Sequence, residues 1–269
     1  MVLKYLNRLL LLKEKFSDEV FIFASGESAN KFPLLKYKDK KFICVNGAVK
    51  IFIENNIRPF AYLFDDESFL VNSLELVFLA IDISEYIFMP EELYIKYIEN
   101  EINDKALLDK IIFIERVNRG YGKKVVSDKT FSLKNILNKD LVFNFSLLSN
   151  RKNRIGFSRN ITNGYFCART IPYVALQLAY YLGFQSIFMI GLDLNSQAGR
   201  FYDKGSALPT SIDQDYLRFI LPSFELLANK IIDEEFKVYN LSEFSKLPND
   251  VIKKIDLTDL DKIINEKFC

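Results

Sequence analysis

Histidine and tryptophan are absent from this chain of 269 residues. Without imidazole there is no Ser-His-Asp triad, no Cys-His pair and no His-held metal. A general base must then be Asp, Glu, Tyr, Lys, a terminal group or water. Cysteine is scarce: Cys44, Cys167 and Cys269 are odd in number, far apart and form no C-x-x-C. That argues against a disulfide framework or a zinc ribbon and for reduced thiols in a cytoplasmic protein. No apolar run reaches the roughly eighteen residues of a transmembrane helix. Charge of one sign is also missing: 36 basic against 35 acidic residues leave a net +1, so no global field announces a nucleic-acid partner.

Known nucleotide motifs are missing too. No G-x-x-x-x-G-K-[ST] occurs, and Gly120-Tyr121-Gly122-Lys123-Lys124 has neither its spacing nor its context. No G-x-G-x-x-G follows the first strand, which argues against a dinucleotide fold. Asp213-Gln214-Asp215 has the carboxylate spacing of a metal-holding pair, but it precedes a helical segment, where acidic residues usually cap; no metal site is assigned. The N-terminal Leu3–Lys13 segment is too short and too charged at its end for a signal peptide. It reads as an amphipathic helix, either packed on the core or touching a membrane surface.

What is present is a globular composition, 49% hydrophobic and 26% charged, with a strong rhythm. Apolar runs Val20–Ala24, Phe42–Val45, Phe60–Phe64, Tyr86–Met89, Ile111–Ile114 and Ser186–Ile190 alternate with turns and helical segments. Strands apolar on both sides belong to a parallel sheet covered by helices. The expected fold is therefore α/β, a Rossmann-like, mostly parallel sheet flanked by helices, built as one domain over residues 1–269. Residues 115–160 turn basic and less periodic, and these or residues 196–215 are the places for a small lid or insertion. Ile161-Thr162-Asn163-Gly164 reads as the opening of a helix of about eighteen residues that stops at Gly183, with Pro172 kinking it or marking where its regular part begins.

In such a sheet, ligands bind beyond the C-terminal strand ends, near the point where strand order reverses. Ser25-Gly26-Glu27-Ser28, Asn46-Gly47, Asp65-Asp66 and Gly191-Leu192-Asp193 all follow apolar strands. Thr162, Asn163 and Gly164 at a helix start would offer free N–H groups to a phosphate. Each is an ordinary turn by itself; as a set they describe a nucleotide site. Two basic clusters, Arg116/Arg119/Lys123/Lys124 and Arg151/Lys152/Arg154/Arg159, are either solvated loops or a surface that captures an acidic acceptor or anionic headgroups.

Phe21–Gly26, Val45-Asn46-Gly47, Asn55–Phe60, Gly156–Ile161, Gly164-Tyr165, Gly191–Leu194 and Arg200–Asp203 together resemble the lipopolysaccharide core biosynthesis proteins of the WaaZ/RfaZ type. The layout is also similar, more distantly, to bacterial sialyltransferases that use CMP-sialic acid, although the histidine base of those enzymes has no counterpart here. The first resemblance implies a GT-A-variant, sialyltransferase-like fold. It implies a glycosyltransferase that takes Kdo (3-deoxy-D-manno-octulosonic acid) from CMP-Kdo to the lipopolysaccharide inner core at the cytoplasmic face of the inner membrane. A CMP-sialic-acid-dependent sialyltransferase and a non-catalytic assembly protein are the alternatives. On this reading Ser25, Gly26, Glu27, Ser28, Asn46 and Gly47 border CMP, and Gly191 and Asp193 meet its ribose or base. Thr162–Gly164, Arg200 and Tyr202 hold phosphate, and Asp66 is the first candidate base with Asp203 next. The donor is the only small molecule required, with no cofactor or metal. Oligomeric state is left open, a homo-oligomer included.

Overall fold

A computed structural model describes residues 8–102, 104–120, 123–195 and 212–266. In chain order the strands are β1 (Glu19–Phe23), β2 (Phe42–Val45), β3 (Ala61–Leu63), β4 (Tyr86–Met89), β5 (Ile111–Phe113), β6 (Arg119–Gly120), β7 (Lys123–Lys124), β8 (Leu141–Phe143), β9 (Gly156–Ser158), β10 (Ser186–Ile190), β11 (Lys237–Asn240) and β12 (Lys253–Lys254). The main helices are α1 (Lys50–Glu54), α2 (Glu67–Asn72), α3 (Leu74–Ile83), α4 (Glu91–Tyr97), α5 (Asp128–Lys134), α6 (Ile171–Leu182), α7 (Leu221–Lys230) and α8 (Leu257–Glu266).

Eight strands form one sheet in the order β12-β11-β10-β1-β2-β3-β4-β5, and every neighbouring pair in it is parallel. The period-2 alternation of the strands explains its two covered faces. Val20, Ile22, Ile43, Val45, Ala61 and Leu63 point to the side holding α6 and α7. Phe21, Phe23, Phe42, Cys44 and Tyr62 point to the side holding α1, α3 and α8. Phe21 alone meets Phe32, Tyr37, Phe42 and Phe188 with ring centroids 5.1–6.0 Å apart. Burying a ring of that size stabilises the fold by about 1.5–3 kcal/mol.

The chain lays down β1 to β5 in sequence, then returns through α6 to place β10 on the other side of β1. Strand order therefore reverses between β1 and β10. A helix feeding a parallel strand runs antiparallel to it, so the N-terminus of α6 lies at the C-terminal edge of the sheet. Between β5 and α6 stand two small antiparallel pairs, β6 with β7 and β8 with β9, together with α5.

The long helix begins later than the sequence pattern predicts. Ile161–Asn163 is a separate 3-10 turn whose Thr162 N–H is capped by the Asn160 side chain, and α6 starts at Ile171 and runs 12 residues to Gly183. Ala168 and Arg169 between them have φ of 47° and 61°, which breaks the helix, and Pro172 in the first turn needs no partner for its missing N–H. At the N-terminus, residues 8–11 are helical. Leu9 and Leu12 are buried, and the Leu9 carbonyl accepts from the Tyr181 hydroxyl at 3.1 Å. The described part of this segment packs on the core.

Candidate active site

The turns after β1 and β10 are locked together at the point of reversal. Ala24 N–H donates to Ile190 O at 2.8 Å and Gly26 N–H to Gly191 O at 2.9 Å. A Cβ on Gly26 would lie 2.4 Å from Gly191 O, and one on Gly191 (φ 70°) would lie 2.3 Å from Ala24 O. Only glycine permits this approach. Ser28 N–H donates to Asp193 Oδ2 at 2.9 Å, the Ser28 hydroxyl donates to Asp193 Oδ1, and the hydroxyls of Ser28 and Ser242 lie 3.0 Å apart. Ser242 Oγ in turn accepts from Leu192 N–H at 2.9 Å.

Gly26, Ser28, Gly191 and Asp193 thus brace the turns, and Asp193, 7% exposed, spends both oxygens on Ser28. Ser242, after β11, belongs to the same brace and lies too far along the chain for any local pattern to reveal it. Ser25 and exposed Glu27 remain on the rim. Asn46, at the end of β2, has φ 47°, and its side-chain oxygen is buried with no hydrogen-bond partner. A buried, unpaired carboxamide oxygen costs about 1–3 kcal/mol unless something donates to it. Gly47 is buried in the turn that follows.

Two strands further on, β3 ends at the carboxylate pair. Asp66 caps α2, its Oδ1 accepting from Ser68 N–H at 2.9 Å and Phe69 N–H at 3.3 Å, and its side chain faces solvent. Asp65 turns inward: Oδ2 accepts from Arg116 Nε at 3.1 Å and from the Tyr165 hydroxyl at 2.9 Å, and Arg116 also reaches the Asp65 carbonyl at 3.0 Å. Burial first, then the Asp65 charge, pushes the Tyr165 phenol well above its ordinary value, so it stays a donor. This inward network was not legible as a site in the sequence. We expect Asp65→Ala to cost about 2 kcal/mol by leaving the buried Tyr165 hydroxyl without an acceptor and Arg116 with only the residue-65 carbonyl; urea unfolding beside Tyr165→Phe, which removes one bond, reads it.

Among the described residues no hydrogen bond ties Thr162, Asn163 or Gly164 to the braced turns. Thr162 is tied to Asn160 through both N–H and hydroxyl, and Asn163 Nδ2 donates to Asp140 at 3.1 Å. Since α6 does not start there, the free N–H groups that motivated a phosphate role are absent from these three residues, and that expectation is corrected. The uncapped helix start lies at Thr170, beside Ala168 and Arg169. Arg200, Tyr202 and Asp203 lie outside the described residues.

Glu115, just past β5, has a carboxyl raised above its ordinary value, chiefly by burial; the Glu91 N–H it accepts at 3.0 Å opposes the shift, while the Glu91 and Glu92 charges reinforce it. A raised folded-state value means stability fully present below the ordinary value of about 4.5 and lost as pH rises through the raised folded-state value. Glu115→Gln keeps an acceptor for Glu91. Its melting temperature should match the native protein near pH 4 and exceed it increasingly toward pH 7.

The family described as 3-deoxy-D-manno-octulosonic acid transferase WaaZ matches residues 5–258. A probable 3-deoxy-manno-octulosonic acid transferase of Escherichia coli K12 is 31% identical, over 93% of this chain and 87% of its own. A protein of the same description from Salmonella typhimurium LT2 is 31% identical, over 97% of this chain and 95% of its own. Among solved structures, the MAf glycosyltransferase of Magnetospirillum magneticum AMB-1 superposes with a TM-score of 0.51 at 12% identity; the match covers 94% of this chain and 37% of that one. At that distance the likeness is one of fold. The sialyltransferase CstII of Campylobacter jejuni aligns with a TM-score of 0.36 at 15% identity over 88% of each chain, too remote for anything to be read from it.

Proposed function

We propose, from the premise that the chain belongs to the WaaZ family of 3-deoxy-D-manno-octulosonic acid transferases, that it is a glycosyltransferase moving Kdo from CMP-Kdo onto the inner core of lipopolysaccharide. The observation that carries this reading is the extent of the likeness, residues 5–258 of the chain. The geometry is compatible with it. Turns 25–28, 46–47 and 191–193 meet at one sheet edge, where strand order reverses, and ligands of open α/β sheets sit at such a place.

CMP would lie over Ser25 and Glu27, with partly exposed Asn46 bordering the ribose or the base. Gly26, Gly47 and Gly191 keep the floor low, and Ser28 and Asp193 hold it. Phosphate contacts fall to Arg200 and Tyr202. As the bond to CMP breaks, the sugar gains oxocarbenium character and the attacking hydroxyl becomes acidic, so a weak base suffices. Asp66 is that base, with Oδ2 free of the cap, and Asp203 is second. One displacement by the acceptor would invert the anomeric centre. A monophosphate leaving group carries less charge than a diphosphate, so side-chain donors can hold it without a metal.

The acceptor is lipid-linked, which places the protein at the inner-membrane cytoplasmic face as a peripheral protein. Among the described residues no helix is long and apolar enough to cross a membrane. Leu137 and Leu148 are 90% and 96% exposed, and each has exposed basic residues within four positions in the sequence, Lys134 and Lys139 for the first and Arg151 and Lys152 for the second, a mix suited to an anionic bilayer surface. Leu137→Asp with Leu148→Asp should weaken cosedimentation with phosphatidylglycerol vesicles at least tenfold; undiminished binding would remove this surface from the role.

A donor panel tests the function. CMP release should require CMP-Kdo and a Kdo-bearing lipid A acceptor. Release from CMP-sialic acid instead would favour a sialyltransferase, and binding of the acceptor with no release from either donor would favour a non-catalytic assembly protein.

A further inference from the structure

Beyond the Asp65–Arg116–Tyr165 network lies a cavity of about 80 Å³ whose wall carries Arg116, Arg119, Arg154, Arg169 and Phe219. Three guanidinium groups crowd the Phe219 ring, Arg154 at 5.1 Å from its centroid, Arg169 at 5.6 Å and Arg218 at 5.8 Å. None of these three has a carboxylate within salt-bridge reach among the described residues. The acidic residue in the wall, Asp128, is already held by Lys124 at 2.7 Å. Like charges gathered on one ring repel each other, and the ring face returns only part of that cost. Among the described residues no carboxylate offsets the three charges, so the patch offers a place to an anion.

A second feature points the same way. Ala168 and Arg169 line the cavity with consecutive left-handed φ of 47° and 61°, a conformation that costs non-glycine residues of order 1–3 kcal/mol each and gathers at functional sites. It brings Arg169 to the cavity beside the start of α6, the positive end of the helix dipole. At about 80 Å³ the cavity has room for a carboxylate and the part of a sugar ring that bears it.

We infer that this cavity is the acceptor subsite, and that Arg154 and Arg169 grip the carboxylate of the acidic sugar that receives the new residue. Planar guanidinium groups pair with carboxylate through two parallel hydrogen bonds, while Phe219 offers an apolar face to the deoxy edge of the ring. The inference rests on the Kdo-transfer reading and adds where the acceptor sits, on the far side of the β3 carboxylates from the braced turns.

The test uses the full chain and two exposed side chains, Arg154→Ala and Arg169→Ala, with Phe219→Leu as a milder third. Initial rates give KM for CMP-Kdo and for the Kdo-bearing lipid A acceptor, and calorimetry gives affinity for a Kdo disaccharide without donor. Each arginine variant should raise acceptor KM about 10- to 100-fold, leave donor KM within twofold and lose disaccharide binding. The disaccharide methyl ester should bind the native protein as weakly as the acid binds the variants. Unchanged acceptor KM with intact disaccharide binding would overturn the inference, as would a loss confined to donor KM. Acceptor lacking the lipid A phosphates should keep its KM; a loss there would assign the arginines to phosphate and overturn the carboxylate. Arginine-dependent disaccharide binding without turnover of CMP-Kdo would sink the donor reading and leave this subsite standing.

Discussion

Asp66→Asn should lower kcat by about 10²–10⁴-fold, the usual contribution of a positioned general base, while CMP still raises the melting temperature as before. The substitution isolates proton transfer from folding. Asn caps a helix as well as Asp does, so the bonds from Ser68 and Phe69 N–H persist in the variant. The Asp65 network, which uses the neighbouring side chain, is untouched. What is lost is only an oxygen that can take a proton. Unchanged turnover would remove Asp66 from the role and pass it to Asp203.

Gly191→Ala should destabilise the protein by roughly 3 kcal/mol, read as a fall in Tm on the order of 10 °C. Two costs add. A φ of 70° costs a residue with a Cβ about 1–2 kcal/mol, and the new methyl would meet Ala24 O at 2.3 Å, an overlap worth about 1–3 kcal/mol if the backbone gives way. The backbone that would give way is the crossing between β1 and β10. The same variant should therefore weaken CMP protection more than its stability loss accounts for. A Tm within about 2 °C of the native value would show that the crossing is looser than described.

The sheet was readable because parallel strands buried on both faces leave dense apolar runs, and Val20–Ala24, Phe42–Val45 and Ser186–Ile190 are such runs. β12 was not: Lys253–Lys254 carries two charged side chains and no apolar one, and it pairs with β11 at the sheet edge while the Lys254 ammonium donates to the Glu243 and Ser245 carbonyls. The start of α6 was misplaced because Asn-Gly at 163–164 looks like a boundary, while the better marker was Pro172, which belongs in a first turn. Of the candidate site, the strand-end turns were visible, since β-strand followed by Ser-Gly or Gly-x-Asp is a local signal. Which carboxylate of Asp65-Asp66 faces inward was not, because Arg116 lies 51 residues away and Tyr165 lies 100. The arginines around Phe219 come from three separate segments, and only folding brings them together.

The most direct measurement is the mass of the acceptor after incubation of the purified chain with CMP-Kdo and a Kdo-bearing lipid A in the presence of a metal chelator. The account predicts a gain of one Kdo residue, with one CMP released for each. An acceptor of unchanged mass beside intact donor would contradict it.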